Sequence, residues 1–105
     1  MKIEVLYLPG CPNHSPAVAL VREALQLEGV SAETIEVEVT DAATAKTMCF
    51  LGSPTIRVNG QDVEPAARPA QSFGLTCRTY VDEGRRSGLP PGDWVRAAVH
   101  EARER

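Results

Sequence analysis

The chain lacks any apolar run approaching the ~20 residues that a membrane span requires, so no spanning segment is expected. It also lacks a basic excess. The net charge is -3, which argues against nucleic-acid and anionic-membrane partners, since both need a basic face. The opening stretch MKIEVLYLPG holds one lysine and then a short run broken by Glu4 and Pro9. It has neither the long apolar region nor the small-residue cleavage site of a signal peptide. A cytoplasmic location is expected. There is no Gly-rich phosphate loop, no paired acid/base carboxylates and no Ser/His/Asp grouping. Repeats, low-complexity tracts and linkers are absent too. Cysteine is sparse and odd in number: Cys11, Cys49 and Cys77. That argues against a framework of structural disulfides and favours each thiol as core filler, ligand or reactive group.

What is present fits one α/β domain over residues 1–105. Residues 2–8 (KIEVLYL) read as a strand with a nearly continuous apolar end, suited to the middle of a sheet. Pro9-Gly10 breaks it. Residues 16–28 carry a helical stripe of Val18, Val21 and Leu25, with Ser15 as N-cap, Pro16 as first helical residue and Gly29 as left-handed stop. Residues 33–39 alternate as a second strand. Asp41 then caps a short helix over 42–51, which Gly52 closes. Residues 55–58 and 61–64 flank Asn59-Gly60, the strongest short hairpin signal. Residues 65–90 are poorly patterned, with 75–81 as a candidate extra strand. Residues 91–104 form a last helix, with Trp94, Val95, Ala98, Val99 and Ala102 on one face and His100 on the polar side. The order is β-α-β-α-β-β-α, a central mixed sheet with helices on both faces.

Cys11 stands just after the first strand, in CPNH, and Ser53-Pro54-Thr55 just before the third. This arrangement resembles the thioredoxin fold over residues 2–64 and the last helix. The resemblance implies that Pro54 is the family's cis-proline, facing Cys11; the alternative is a trans proline opening a strand. A narrower resemblance runs through GCPNHSPAV, FLGSPTIRVNGQDVEP, GLTCRTY and GLPPGDWVRAAV. These are similar to a group of small bacterial thioredoxin-like proteins, some labelled alkylmercury lyase-like. Organomercurial lyases use two cysteines and an aspartate. Only Cys11 and Cys77 match as thiols here, and Asp41, Asp62, Asp82 and Asp93 all compete for the third role without a matching motif.

In the wider family a Cys-x-x-Cys sits at this turn, where a helix N-terminus stabilises thiolate. His14 takes the place of the second cysteine, which rules out the usual local dithiol cycle. It would favour a Cys11 thiolate if protonated and near; otherwise it is an exposed loop histidine. Cys77 is the candidate second thiol, the alternative being a half-buried edge-strand cysteine. Arg78 reads as a surface arginine and Arg85-Arg86 as a solvated turn. Cys49, in Met48-Cys49-Phe50-Leu51, reads as core filler. No second Cys/His pair supports zinc, and no cofactor is called for. Two thiols would suffice for a soft metal such as Hg(II) or Cu(I). The expectation is therefore thiol–disulfide exchange at Cys11, with Cys77 resolving and with thiol or disulfide proteins or small molecules as partners. Capture of a soft-metal species by Cys11 and Cys77 is the second reading. A thioredoxin-fold contact module without chemistry is the third.

Overall fold

The computed structural model describes residues 1–103. It is a mixed α/β structure built on a four-stranded mixed sheet and three α-helices. Strand β1 (Lys2–Tyr7) lies inside that sheet, in the order β2-β1-β3-β4. β2 (Glu33–Glu38) runs parallel to it, while β3 (Thr55–Val58) runs antiparallel on its other side. The apolar run of β1 explains its place: Ile3 and Val5 are buried on one face, Leu6 on the other. Helices α1 (His14–Glu28) and α3 (Gly92–Arg103) cover the first face. There Ala17, Val21, Ala24, Val95 and Val99 pack on Ile3, Val5, Ile56 and Val58. On the second face, α2 (Ala42–Thr47) brings Ala45 against Leu6, with Val39 and Phe50 beside it.

Asn59 and Gly60 both have positive φ, 49° and 83°, and join β3 to β4 (Gln61–Asp62). Those are the dihedral signs a two-residue type I′ hairpin needs. β4 is shorter than the alternation over 61–64 suggests. The Asp62 carboxylate accepts the Glu64 N–H (2.8 Å) and turns the chain away from the ladder.

Two helix ends differ from the sequence reading. α1 starts at His14, with Asn13 rather than Ser15 as its N-cap. Pro16 then falls in the first turn, where backbone N–H groups have no intrahelical partner, so its missing donor is harmless. α2 ends at Thr47, not at Gly52. The Phe50 N–H reaches back to the Ala45 carbonyl (2.8 Å) and the Cys49 N–H to that of Lys46 (3.2 Å). This is a Schellman ending, in which the residue at the left-handed position is usually glycine. Here it is Cys49, at φ 55°. Its side chain points outward and is exposed, so the core role expected for Cys49 is wrong. Phe50 takes the buried place instead.

The poorly patterned stretch 65–90 is structured. A 3₁₀ turn spans Pro65–Ala67. Further on, β5 (Tyr80–Asp82) and β6 (Arg85–Ser87) form a separate hairpin around Glu83-Gly84. Arg85 and Arg86 thus lie in a strand rather than in the turn expected for them, though both are solvent-exposed. Among the described residues no helix is long and apolar enough to cross a membrane.

Candidate functional site

The site forms where β1 ends and β3 begins. Leu8-Pro9-Gly10-Cys11 closes a turn in which the Cys11 N–H donates to the Leu8 carbonyl (3.1 Å). Proline second and a positive-φ glycine third are the marks of a type II turn, and Gly10 has φ 75°. The Cys11 carbonyl in turn accepts the His14 N–H (3.2 Å), which leads the chain into α1. Cys11 is therefore held between a tight turn and the first residue of a helix. Cys11 is partly exposed and in no disulfide.

Opposite this turn stands Ser53, followed by Pro54 through a cis peptide bond. Ser53 is buried, and its Oγ accepts the Leu8 N–H (3.0 Å). Its main chain faces the other way. The Ser53 N–H donates to the Thr76 carbonyl (2.9 Å), and the Ser53 carbonyl accepts the Arg78 N–H (3.0 Å). Residues 76–78 thus make a one-residue parallel bridge in which Cys77 pairs with Ser53. Cys77 is exposed, whereas Arg78, the next residue along this extended stretch, points inward, as strand alternation requires.

One buried residue therefore ties together both thiol-bearing segments. Leu8 reaches Ser53 through the serine Oγ, and Cys77 pairs with the Ser53 main chain. Cys11 lies one turn beyond Leu8. A disulfide between Cys11 and Cys77 needs their Cα atoms within about 7 Å.

His14 goes elsewhere. Its ring stacks on Tyr7, with centroids 3.5 Å apart and planes 8° apart. Its Nε2 donates to the Glu36 carboxylate (2.6 Å). The link from His14 to Cys11 runs through the backbone, and the imidazole anchors the first turn of α1 to β1 and β2. It is neither a loop residue nor fully exposed.

Arg78 is the residue that sequence reasoning missed. Its side chain is 6% exposed, not on the surface as expected. Its guanidinium makes a two-pronged pair with Asp62 (2.7 and 2.9 Å) and bonds Glu64 (3.0 Å) and the Thr55 hydroxyl (3.2 Å). It also lies 4.4 Å from the centre of the Tyr80 ring. Burial alone would lower its pKa, but the hydrogen bonds to Asp62 and the nearby negative charge outweigh that and raise it. Burial pushes the Tyr80 hydroxyl up, and that hydroxyl donates to the Pro54 carbonyl. The cis-proline loop is thus backed by a buried Arg78–Asp62–Glu64 cluster and by Tyr80. A signal existed in the sequence: Asp62 and Glu64 share the hairpin that turns toward this loop. Nothing in the sequence marked Arg78 as their partner.

Among the described residues no group of three or more His, Cys, Asp or Glu is placed to hold a metal ion. Of the aspartates weighed earlier, Asp62 is engaged by Arg78 and Asp41 caps α2. Compared with protein-family models, curated proteins and solved structures, the chain matches none.

Proposed function

We propose that the chain is a thioredoxin-like thiol protein that carries out thiol–disulfide exchange at Cys11, with Cys77 as the resolving thiol. The observation that carries this reading is the double engagement of Ser53. It bonds the Cys11 turn through its side chain and the Cys77 segment through its main chain, beside the cis bond to Pro54. The strand order, the antiparallel β3 and the helices on both faces support the thioredoxin-like fold. A reducing compartment such as the cytoplasm would keep all three thiols free between turnovers.

In this reading Cys11 attacks a disulfide as thiolate and forms a mixed disulfide. Cys77 then attacks the Cys11 sulfur and releases the second half of the substrate. The expected signature is kinetic. With a disulfide substrate, Cys77→Ser accumulates a stable adduct on Cys11, whereas the unaltered protein does not, and Cys11→Ser forms no adduct at the site. Intact-mass measurement with peptide mapping reads all three. An adduct confined to Cys49 would sink the proposal. If one equivalent of Hg(II) bridges Cys11 and Cys77 while no disulfide substrate reacts, soft-metal capture replaces exchange as the reading.

A further inference from the structure

The main chain around Pro54 has little to offer an incoming strand. The Gly52 carbonyl accepts the Thr55 hydroxyl. The Ser53 N–H and carbonyl are taken by Thr76 and Arg78. Pro54 has no N–H, and its carbonyl accepts the Tyr80 hydroxyl. Each of these groups is satisfied within the chain, as buried main-chain groups generally must be.

The Val63 N–H still donates to the Ile56 carbonyl (3.1 Å), and the 76–78 segment takes up the edge beyond that point by pairing with Ser53. It is not a loose cover. Arg78 pins it from beneath through Asp62, Glu64 and Thr55. It also lies very close to the loop: a Cβ built on Gly52 would sit 2.9 Å from the Arg78 Cβ. Only a residue without a side chain permits that approach.

Extended polypeptides are commonly bound at a sheet edge through main-chain hydrogen bonds, with side-chain pockets adding specificity. At this site the chain's own residues occupy that edge. The two cysteines, by contrast, are not covered: Cys77 is exposed and Cys11 partly so. We infer that the site acts on low-molecular-mass disulfides and discriminates against extended polypeptides. This rests on the exchange reading above.

The step balances as follows. The Cys11 thiolate attacks one sulfur of RSSR; that S–S bond breaks and RS⁻ leaves, taking a proton from water. The Cys77 thiolate then attacks the Cys11 sulfur and displaces the second RS⁻. Two electrons pass from the protein dithiol to RSSR, giving two RSH and a Cys11–Cys77 disulfide. An external dithiol reductant returns the protein to its starting state.

The test compares bis(2-hydroxyethyl) disulfide with the interchain disulfides of insulin. Each rate with reduced protein is divided by the rate with a free low-mass thiol. The normalised rate should favour the small disulfide at least tenfold. A ratio at or below one would overturn the inference while leaving exchange at Cys11 intact. No reaction of Cys11 with either probe would remove both the exchange reading and this inference. A second arm uses Arg78→Lys, which loses the forked pair with Asp62. Where hydrogen exchange shows the Ser53 and Arg78 amides released, insulin should gain at least threefold relative to the small disulfide. An unchanged ratio in that released variant would contradict the role given to the segment.

Discussion

At Cys49 the backbone is held at φ 55°, a conformation that costs a non-glycine residue about 1–2 kcal/mol. Glycine would relieve that, offset by its own loss of about 0.5–1 kcal/mol in chain freedom. Cys49→Gly is therefore expected to raise Tm by a few degrees, given about 4–8 °C per kcal/mol for a domain of this size. A fall in Tm on thermal unfolding would show that the Cys49 side chain contributes packing its exposure does not suggest. Arg78 is the opposite case. Removing it leaves Asp62, whose side chain is 5% exposed, without its cation. Arg78→Ala is expected to cost about 3–5 kcal/mol in urea unfolding, against about 0.5 kcal/mol or less for exposed Arg86. Equal costs would mean that the cluster is not structural. Both residues were misread from sequence for one physical reason. Burial of a single cysteine or arginine depends on where the chain turns, and neither position lies in a periodic pattern that reveals it.

Elements with a local signal were legible. The alternation of β2, the apolar run of β1 and the Asn59-Gly60 turn each specify their structure within a few residues. The Glu83-Gly84 turn of the second hairpin was not recognised, because glutamate is no usual turn former and the short flanking strands carry little pattern. α1 and α2 end in the same hydrogen-bond arrangement, but only Gly29 advertises it. Between elements, Glu28 at the end of α1 receives Arg96 (2.9 Å) and His100 (3.1 Å) from α3. The hydrogen bond from Arg96, and then that from His100, hold its pKa below the ordinary glutamate value. A carboxylate whose folded pKa is depressed adds stability above its unfolded pKa, and that stability is lost as pH falls through the folded value. The stability gap between the unaltered protein and Glu28→Gln should hold near neutrality and shrink as pH falls below the ordinary glutamate pKa of about 4.3. A gap that does not change between pH 7 and pH 3 in urea titrations would show that the α1–α3 clasp does not depend on this charge.

Across the whole molecule, two apolar layers on one sheet leave the loops at the carboxyl end of β1 free to build a site. Cys11 was readable as a thiol just after a strand, whereas the cis bond at Pro54 was expected only from the resemblance to the thioredoxin fold. The route of residues 65–90 was not readable, because it is fixed by contacts distant in sequence: Ser53 with Thr76 and Arg78, and Pro54 with Tyr80. Those contacts bring Cys77 to the site and make the central claim testable. The most direct measurement is peptide mapping of the native protein: one equivalent of oxidant is added, the thiols that remain free are then alkylated, and the chain is digested without reduction. A Cys11–Cys77 disulfide with Cys49 alkylated is the expected result. A disulfide involving Cys49, or Cys11 and Cys77 both remaining alkylatable, would contradict it.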